Sequence, residues 1–152
     1  SGRPVISVET VDRMLLTRIV VNMIVHYYPS TRFTSLQLNR DYAARIHVDA
    51  NNTGWSYVLA WGPYTGGQLW VYDPHSGQTP LTITHTVTGY PELKVGTIAM
   101  GHALDVHGYL HRFNGGVPHC VLRYEGTRFS LVAFSVANWD RAHDNHTLAR
   151  KD

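Results

Sequence analysis

The chain has very little cysteine and no long hydrophobic run. Cys120 is the only cysteine among 152 residues, so no disulfide can form within the chain. This composition is typical of a reducing compartment and predicts an intracellular protein, nuclear or cytoplasmic, without a disulfide-bonded partner. The most apolar run, residues 19–25, is short and is interrupted by Asn22. A membrane-spanning helix needs about 20 apolar residues, so a membrane partner is not expected.

Charge is also sparse and nearly balanced. Charged residues make up 16% of the chain, and the net charge is +2 with the histidines neutral. Nucleic-acid-binding domains usually carry a stronger basic surface. The composition therefore neither requires nor excludes a nucleic-acid partner, while the apolar share of 43% is that of a folded protein.

The length predicts one domain over residues 1–152. Residues 8–25 are predicted to form an amphipathic supporting helix, because apolar residues recur there at three- and four-residue steps. These residues are Val11, Met14, Leu15, Ile19 and Met23. A β core over residues 34–135 and a short tail over residues 136–152 are expected to follow.

Short strand-like runs separated by turn residues fill the rest of the chain. Glycine, proline and asparagine clusters punctuate them, which indicates tight turns. About eight short strands after one helix predict a mainly β fold, either a sandwich or a jelly roll. The runs are FTSLQLN, RIHVD, WSYVLAWG, QLWVYD, LTITHTV, HALDVHG, HCVLRY and FSLVAFS.

One of these runs places a histidine and an aspartate two residues apart. Alternate residues of a strand point to the same face, so His47 and Asp49 could approach one ion from one side. In a chain with 10 histidines this spacing has little weight alone, and hydrogen-bonded strand residues are the plainer interpretation. Two histidines and one carboxylate with open positions form the facial triad of non-haem Fe(II) oxygenases. Such a site would need one more histidine from a distant strand.

Six downstream histidines are candidates for the third ligand. His119 is favoured because it follows the turn FNGGVP and begins a strand, and its main rival is His111, on the upstream side of the same turn. The full set is His75, His85, His102, His107, His111 and His119.

An arginine and a serine follow on the next predicted strand. Arg128 and Ser130 are two residues apart and share a face, so they could offer a fork and a hydroxyl to one carboxylate. A surface arginine beside Glu125 is the plainer interpretation. Together with the triad, the pair describes a site for iron and a keto acid.

The ordered set of motifs resembles a known superfamily. IHVD, YTGGQLWV, FNGGVPH and YEGTRFSLVAF are together similar to the Fe(II)/2-oxoglutarate dioxygenases over residues 34–135. The stretch from LQLN to QLWV looks most like the TET/JBP branch and its small relatives, which oxidise the methyl group of thymine or 5-methylcytosine. The resemblance implies a double-stranded β-helix, which is a jelly roll, preceded by a supporting helix.

The resemblance also implies roles for individual residues. Fe(II) would be bound by His47, Asp49 and His119. The cosubstrate 2-oxoglutarate would chelate the iron and place its far carboxylate on Arg128 and Ser130. Oxygen would take the last position, and succinate and carbon dioxide would be released.

Four further residues are weaker candidates for contacts with the cosubstrate or the substrate. Asn39, at the end of LQLN, is positioned like a polar residue that some relatives use as an additional cosubstrate contact. Asn51 and Asn52 follow the metal motif and could read a base edge, or could simply cap the loop. Trp55 is a candidate substrate contact, with packing at the rim of the core as the alternative.

Three functions remain open from the sequence. The first is a nucleobase dioxygenase acting on DNA or RNA. The second is a hydroxylase of a peptide side chain or a small molecule, which the same metal core would serve. The third is a jelly-roll binding module without catalysis, against which the complete triad and clamp argue.

Overall fold

The computed structural model describes residues 7–137. Two helices precede ten strands in this part of the chain, and none of its helices is long and apolar enough to cross a membrane. The tail from residue 138 onward lies outside the described residues. The elements are α1 (Val8–Asp12), α2 (Met14–Tyr27), β1 (Ser35–Arg40), β2 (Asn52–Trp61), β3 (Tyr64–Gly66), β4 (Leu69–Tyr72), β5 (Thr79–Thr82), β6 (Ile98–Leu104), β7 (His111–Phe113), β8 (His119–Val121), β9 (Tyr124–Gly126) and β10 (Phe129–Val136).

The strands form a double-stranded β-helix, as predicted. One antiparallel sheet has the order β1-β10-β2-β7, and a second has the order β5-β6-β4-β8. The residues around His47 extend the second sheet beyond β8, through an isolated antiparallel bridge between His47 and His119. A third, two-stranded sheet pairs β3 with β9. The mainly β class and jelly-roll topology are therefore confirmed.

Three apolar layers cover the faces of the two large sheets. The layer between the sheets includes Val58, Ala60, Leu69 and Phe113. The outer face of the second sheet packs Trp70 and its neighbours under the segment 83–93. The outer face of the first sheet packs under α2. Because strand residues alternate between faces, the central strands β2, β4 and β10 place alternate side chains in the middle layer.

The predicted helix exists, but its predicted apolar face is wrong. The helical segment breaks at Arg13, where φ is −124°. Val20 and Ile24 pack against Leu131 and Ala133 of β10. The helix is apolar on nearly all sides, so periodicity alone could not identify the face that meets the sheet. The five residues of the predicted face are 40% to 73% exposed: Val11, Met14, Leu15, Ile19 and Met23.

The predicted strand RIHVD is also wrong, apart from its bridge at His47. The backbone N–H of Asp49 donates to the carbonyl of Gly115 at 2.8 Å, and that of Asn52 donates to the carbonyl of Asp49 at 3.0 Å. These bonds turn the chain out of the sheet just after His47. The short strands β3, β7 and β9, three residues each, were not predicted, because such brief runs lack a measurable alternation.

The packing of α2 predicts that two isoleucines of this helix contribute very differently to the free energy of unfolding. Ile24 is 2% exposed and Ile19 is 56% exposed. Replacing Ile24 by alanine leaves a cavity against β10 and should lower the free energy of unfolding by about 2–4 kcal/mol. The matched substitution Ile19→Ala should change it by about 0.5 kcal/mol or less. Urea unfolding measures both, and equal losses would contradict the packing described here.

Candidate metal centre

Two distant segments meet through a pair of backbone hydrogen bonds. The N–H of His47 donates to the carbonyl of His119 at 3.1 Å, and the N–H of His119 donates to the carbonyl of His47 at 3.0 Å. This reciprocal bridge places the two imidazole rings side by side, with centroids 4.4 Å apart. The turn after His47 then brings Asp49 against both rings.

The three side chains converge with the spacing of metal ligands. One potential ligand atom from each of His47, Asp49 and His119 lies within 4.8 Å of the others. The Nε2 atom of His47 is 3.4 Å from Oδ1 of Asp49, and Nε2 of His119 is 3.7 Å from Oδ2. Ligands bound to one ion at 2.0–2.2 Å and at right angles lie about 3 Å apart. The ligand atoms, up to 4.8 Å apart, would therefore have to move closer together to bind one ion.

Both imidazole rings are held in the orientation that presents Nε2 to the cluster. Nδ1 of His47 is 2.6 Å from the carbonyl of Arg45, and Nδ1 of His119 is 2.8 Å from the carbonyl of Val117. Since a carbonyl only accepts, each Nδ1–H donates, and Nε2 of each ring is the nitrogen left to face the Asp49 carboxylate or an ion. This is the outer hydrogen bond that metal-binding histidines usually make.

The cluster is buried on one side and open on the other. The side chain of His119 is 5% exposed, whereas that of His47 is 42% exposed. The pKa of His47 is raised because its ring bonds to the Asp49 carboxylate. The same bond lowers the pKa of Asp49, and burial lowers the pKa of His119. The contact with Asp49 and the burial of His119 therefore shift the pKa values of the two histidines in opposite directions.

A glycine makes room for the aspartate. A Cβ atom at Gly115 would lie 2.9 Å from Oδ2 of Asp49 and 3.1 Å from Oγ of Ser56. Ser56 is 1% exposed, and its hydroxyl has no hydrogen-bond partner among the described residues. Gly115 thus leaves a small space between a carboxylate and a buried hydroxyl.

A buried arginine faces the same interior. Arg128 is 2% exposed, and its Nε has no hydrogen-bond partner. Its guanidinium lies over the rings of Tyr64 and Tyr124, 5.5 and 5.8 Å from their centroids. Within residues 7–137 no carboxylate forms an ion pair with it. Burying a cation without an anion is costly, so this pocket is suited to an anionic ligand.

Two polar side chains stand beside Arg128. Ser130 is buried on β10 and pairs with Asn39 on β1. The amide of Asn39 donates to the Ser130 hydroxyl at 3.3 Å. The backbone of Arg128 is fixed by Asp41, whose carboxylate accepts from the Arg128 N–H at 2.9 Å. The three cosubstrate candidates from the sequence are therefore neighbours.

The cluster of His47, Asp49 and His119 and the pocket of Arg128 lie at two levels of the interior between the large sheets. On β2, Ser56 pairs with Phe113, whose ring is 4.9 Å from that of His119, while Ala60 pairs with Ser130. Ser56 and Ala60 are four residues apart, or about 13 Å along the strand. The cluster and the pocket therefore face the middle layer near different ends of this part of β2.

The other sequence candidates lie around this site or away from it. His111, the rival third ligand, is not part of the cluster of three. Asn51 is exposed, and the amide of Asn52 donates to Oδ2 of Asp49 at 3.1 Å. Trp55 is 49% exposed, lies on the opposite face of β2 from buried Ser56, and has the Arg112 guanidinium 4.8 Å from its ring centroid.

Sequence reasoning missed four residues that shape the site. Tyr64, Gly115 and Tyr124 all lie within quoted motifs, in YTGG, FNGG and YEGT, but their roles depend on contacts across the sheets. Ser56 gave no signal, because a serine within a strand is most often a surface residue.

The space at Gly115 predicts that an alanine there weakens metal binding, whereas an alanine at Gly116 does not. Gly115→Ala would push the Asp49 carboxylate, the movable end of a side chain, out of place. We expect the thermal midpoint to change little and the Co(II) affinity to fall roughly 10- to 100-fold. At Gly116 a Cβ would meet only Oδ1 of Asn114, at 3.2 Å, so Gly116→Ala is the matched control. Equal affinities for the two variants would contradict this geometry.

The ion pair predicts how the stability of the metal-free protein depends on pH. The pKa of His47 is raised above its ordinary value of 6.5, and that of Asp49 is lowered below 3.8. The pair therefore stabilises the fold fully between about pH 4 and 6.5, and this contribution is lost as the pH rises through the folded pKa of His47. Urea unfolding with chelator should give a gap between wild type and Asp49→Asn that shrinks toward pH 8. A gap that widens there would contradict the assignment.

Comparison with known proteins gives one similar solved structure. It is the crystal structure of an oxidoreductase of the 2OG-Fe(II) oxygenase family from Burkholderia pseudomallei, with 21% sequence identity and a TM-score of 0.49. The alignment covers 84% of this chain, which spans about 62% of the length of that chain. No family model matches the sequence, and no curated protein does. The features of the site therefore rest on the strand order and the distances within this chain.

Proposed function

We propose that this protein is an Fe(II)- and 2-oxoglutarate-dependent dioxygenase. The observation that carries the proposal is the combination of two groups inside one jelly roll. His47, Asp49 and His119 converge on one point, and Arg128 is buried nearby without an anionic partner among the described residues. A structural role needs neither group, whereas a metal-bound keto acid with a second carboxylate uses both.

The donor set suits ferrous iron. Two imidazole nitrogens and one carboxylate oxygen on one side of an ion form the facial triad, which leaves adjacent positions open. The open side next to half-exposed His47 gives a ligand access. When bound, iron and 2-oxoglutarate would supply the oxidising chemistry. In that reaction O2 and the keto acid yield succinate and carbon dioxide, and one C–H bond of the substrate becomes C–OH.

The arginine pocket suits the far carboxylate of 2-oxoglutarate. The free Nε–H of Arg128 and the Ser130 hydroxyl could both donate to it, and charge-assisted bonds of this kind are the strong ones. Gly67 lies against the pocket, where a Cβ would be 3.1 Å from Nε of Arg128. Asn39 would act through Ser130, whose hydroxyl it already contacts.

The remaining residues would position the ligands and keep water out. The ring of Phe113 packs edge-on against His119, and Val58 and Leu69 close the middle layer behind it. The guanidinium of Arg128 packs over the rings of Tyr64 and Tyr124. A dry, rigid surrounding strengthens the electrostatic contacts to a bound anion.

A nucleobase methyl group is the substrate that we propose first. Its support is the sequence resemblance of residues 36–71 to the TET/JBP branch, while exposed Trp55, which Arg112 of β7 contacts, lies on the face of β2 away from the cluster. A peptide side chain or a small molecule is the second candidate, because the iron core would serve it equally well. Succinate release with methylated oligonucleotides, compared with peptides, distinguishes the two.

An anaerobic titration tests the dioxygenase site itself. Addition of Fe(II) and 2-oxoglutarate to the metal-free protein should give the visible charge-transfer band of a chelated keto acid. His47→Ala should abolish the band, because it removes a ligand. Arg128→Met should raise the 2-oxoglutarate concentration needed for half-saturation by at least about tenfold, since a buried charge-assisted contact is lost.

A second arginine provides the control for that titration. Arg123 is nearly fully exposed beside Glu125, so Arg123→Met should leave the half-saturation concentration unchanged. Absence of a band in the folded wild-type protein would contradict the proposal and favour a non-catalytic binding module.

A further inference from the structure

The two oxygens of the Asp49 carboxylate have different surroundings. Oδ1 lies 3.4 Å from Nε2 of His47. Oδ2 lies farther from its imidazole partner, 3.7 Å from Nε2 of His119, and it accepts a hydrogen bond from the amide of Asn52 at 3.1 Å. Oδ1 therefore contacts an imidazole that belongs to the same cluster, whereas Oδ2 is bound by a neutral amide donor.

We propose that Asn52 is a positioning residue that makes Asp49 a one-oxygen ligand. By holding Oδ2, the amide directs Oδ1 toward the ion. This inference rests on the proposed metal site and deepens it, since it assigns the number of coordination positions that the protein itself fills.

The count of coordination positions explains why this matters. Two imidazoles and one carboxylate oxygen fill three of six octahedral positions, and three remain. A keto acid needs two and oxygen needs one. If Asp49 bound through both oxygens, only two positions would remain, and the keto acid and oxygen could not bind together.

The side-chain bond of Asn52 is not needed to close the loop. The backbone of residues 49–52 is already fixed by the bond from the Asn52 N–H to the Asp49 carbonyl, and by the bond from the Asp49 N–H to Gly115. The Ala137 N–H also donates to the carbonyl of Asn51 at 2.9 Å. The amide of Asn52 is thus an additional contact whose only partner among residues 7–137 is the metal-site carboxylate.

A second donor stands near the same carboxylate. The buried hydroxyl of Ser56 lacks a partner among the described residues. It flanks the empty space at Gly115 that Oδ2 of Asp49 also borders.

Asn51 and Asn52 have different surroundings. The amide of Asn52 is bound to Asp49, whereas Asn51 is exposed. The two asparagines are adjacent and chemically identical, which makes Asn51 the matched control for Asn52.

Co(II) is the probe for this assignment, because its visible absorption reports both affinity and coordination number. Asn52→Ala should weaken Co(II) binding roughly 10- to 100-fold, and Asn51→Ala should not. Asn52→Asp keeps the size of the side chain but replaces a donor by a negative charge next to Oδ2. In this variant we expect a changed Co(II) spectrum and a smaller spectral response to 2-oxoglutarate than in wild type.

The outcomes separate this inference from the proposed function. If wild type binds Co(II) and responds to 2-oxoglutarate, and both Asn52 variants do the same with unchanged affinity and spectra, the positioning role is wrong and the metal site stands. If folded wild type binds no Co(II), the metal site itself is wrong. Thermal unfolding of the metal-free variants tests a purely structural role, which would lower their midpoints, whereas positioning leaves them near that of wild type.

Discussion

The site depends on one backbone interaction, the reciprocal hydrogen bonds between His47 and His119. These residues belong to segments far apart in the sequence, and the bond from the Val121 N–H to the carbonyl of Ala44, at 3.1 Å, holds the same two segments together. The bridge fixes both ring positions, and the immediate departure of the chain from the sheet brings the Asp49 carboxylate between them. In a regular strand through residues 45–49, the alternation of side chains alone would place His47 and Asp49 on the same face. Here a single bridge followed by a turn gives the same convergence.

A second constraint is the burial of a charge. Arg128 is buried, its guanidinium lies over the rings of Tyr64 and Tyr124, and no anion pairs with it among the described residues, which costs stability unless a ligand provides the opposite charge. The interior therefore holds a cluster of three potential metal ligands and a separate buried cation. Gly67 and Gly115, which have no side chain, leave space next to the arginine and the aspartate respectively.

The jelly roll and the grouping of the site residues were predicted from the sequence. The prediction failed where contacts between distant segments determine which residues are buried or shape the site. Arg128 and Ser130 share a face because strand alternation is local, and that prediction agrees with their burial. The face of α2 was wrong because its residues are apolar on most sides, so only contact with Leu131 and Ala133 selects Val20 and Ile24. Ser56 and Gly115 gave no local signal, since their significance comes from what lies across the sheets.

The most direct test of the two-level site is calorimetric titration with keto acids of different length, under anaerobic conditions with Mn(II) as the metal. Wild type should bind 2-oxoglutarate only when the metal is present, and at least about tenfold more tightly than 2-oxobutyrate, which lacks the far carboxylate. In Arg128→Met the two acids should bind equally. Metal-independent binding of 2-oxoglutarate, or equal affinity for both acids in wild type, would contradict the account.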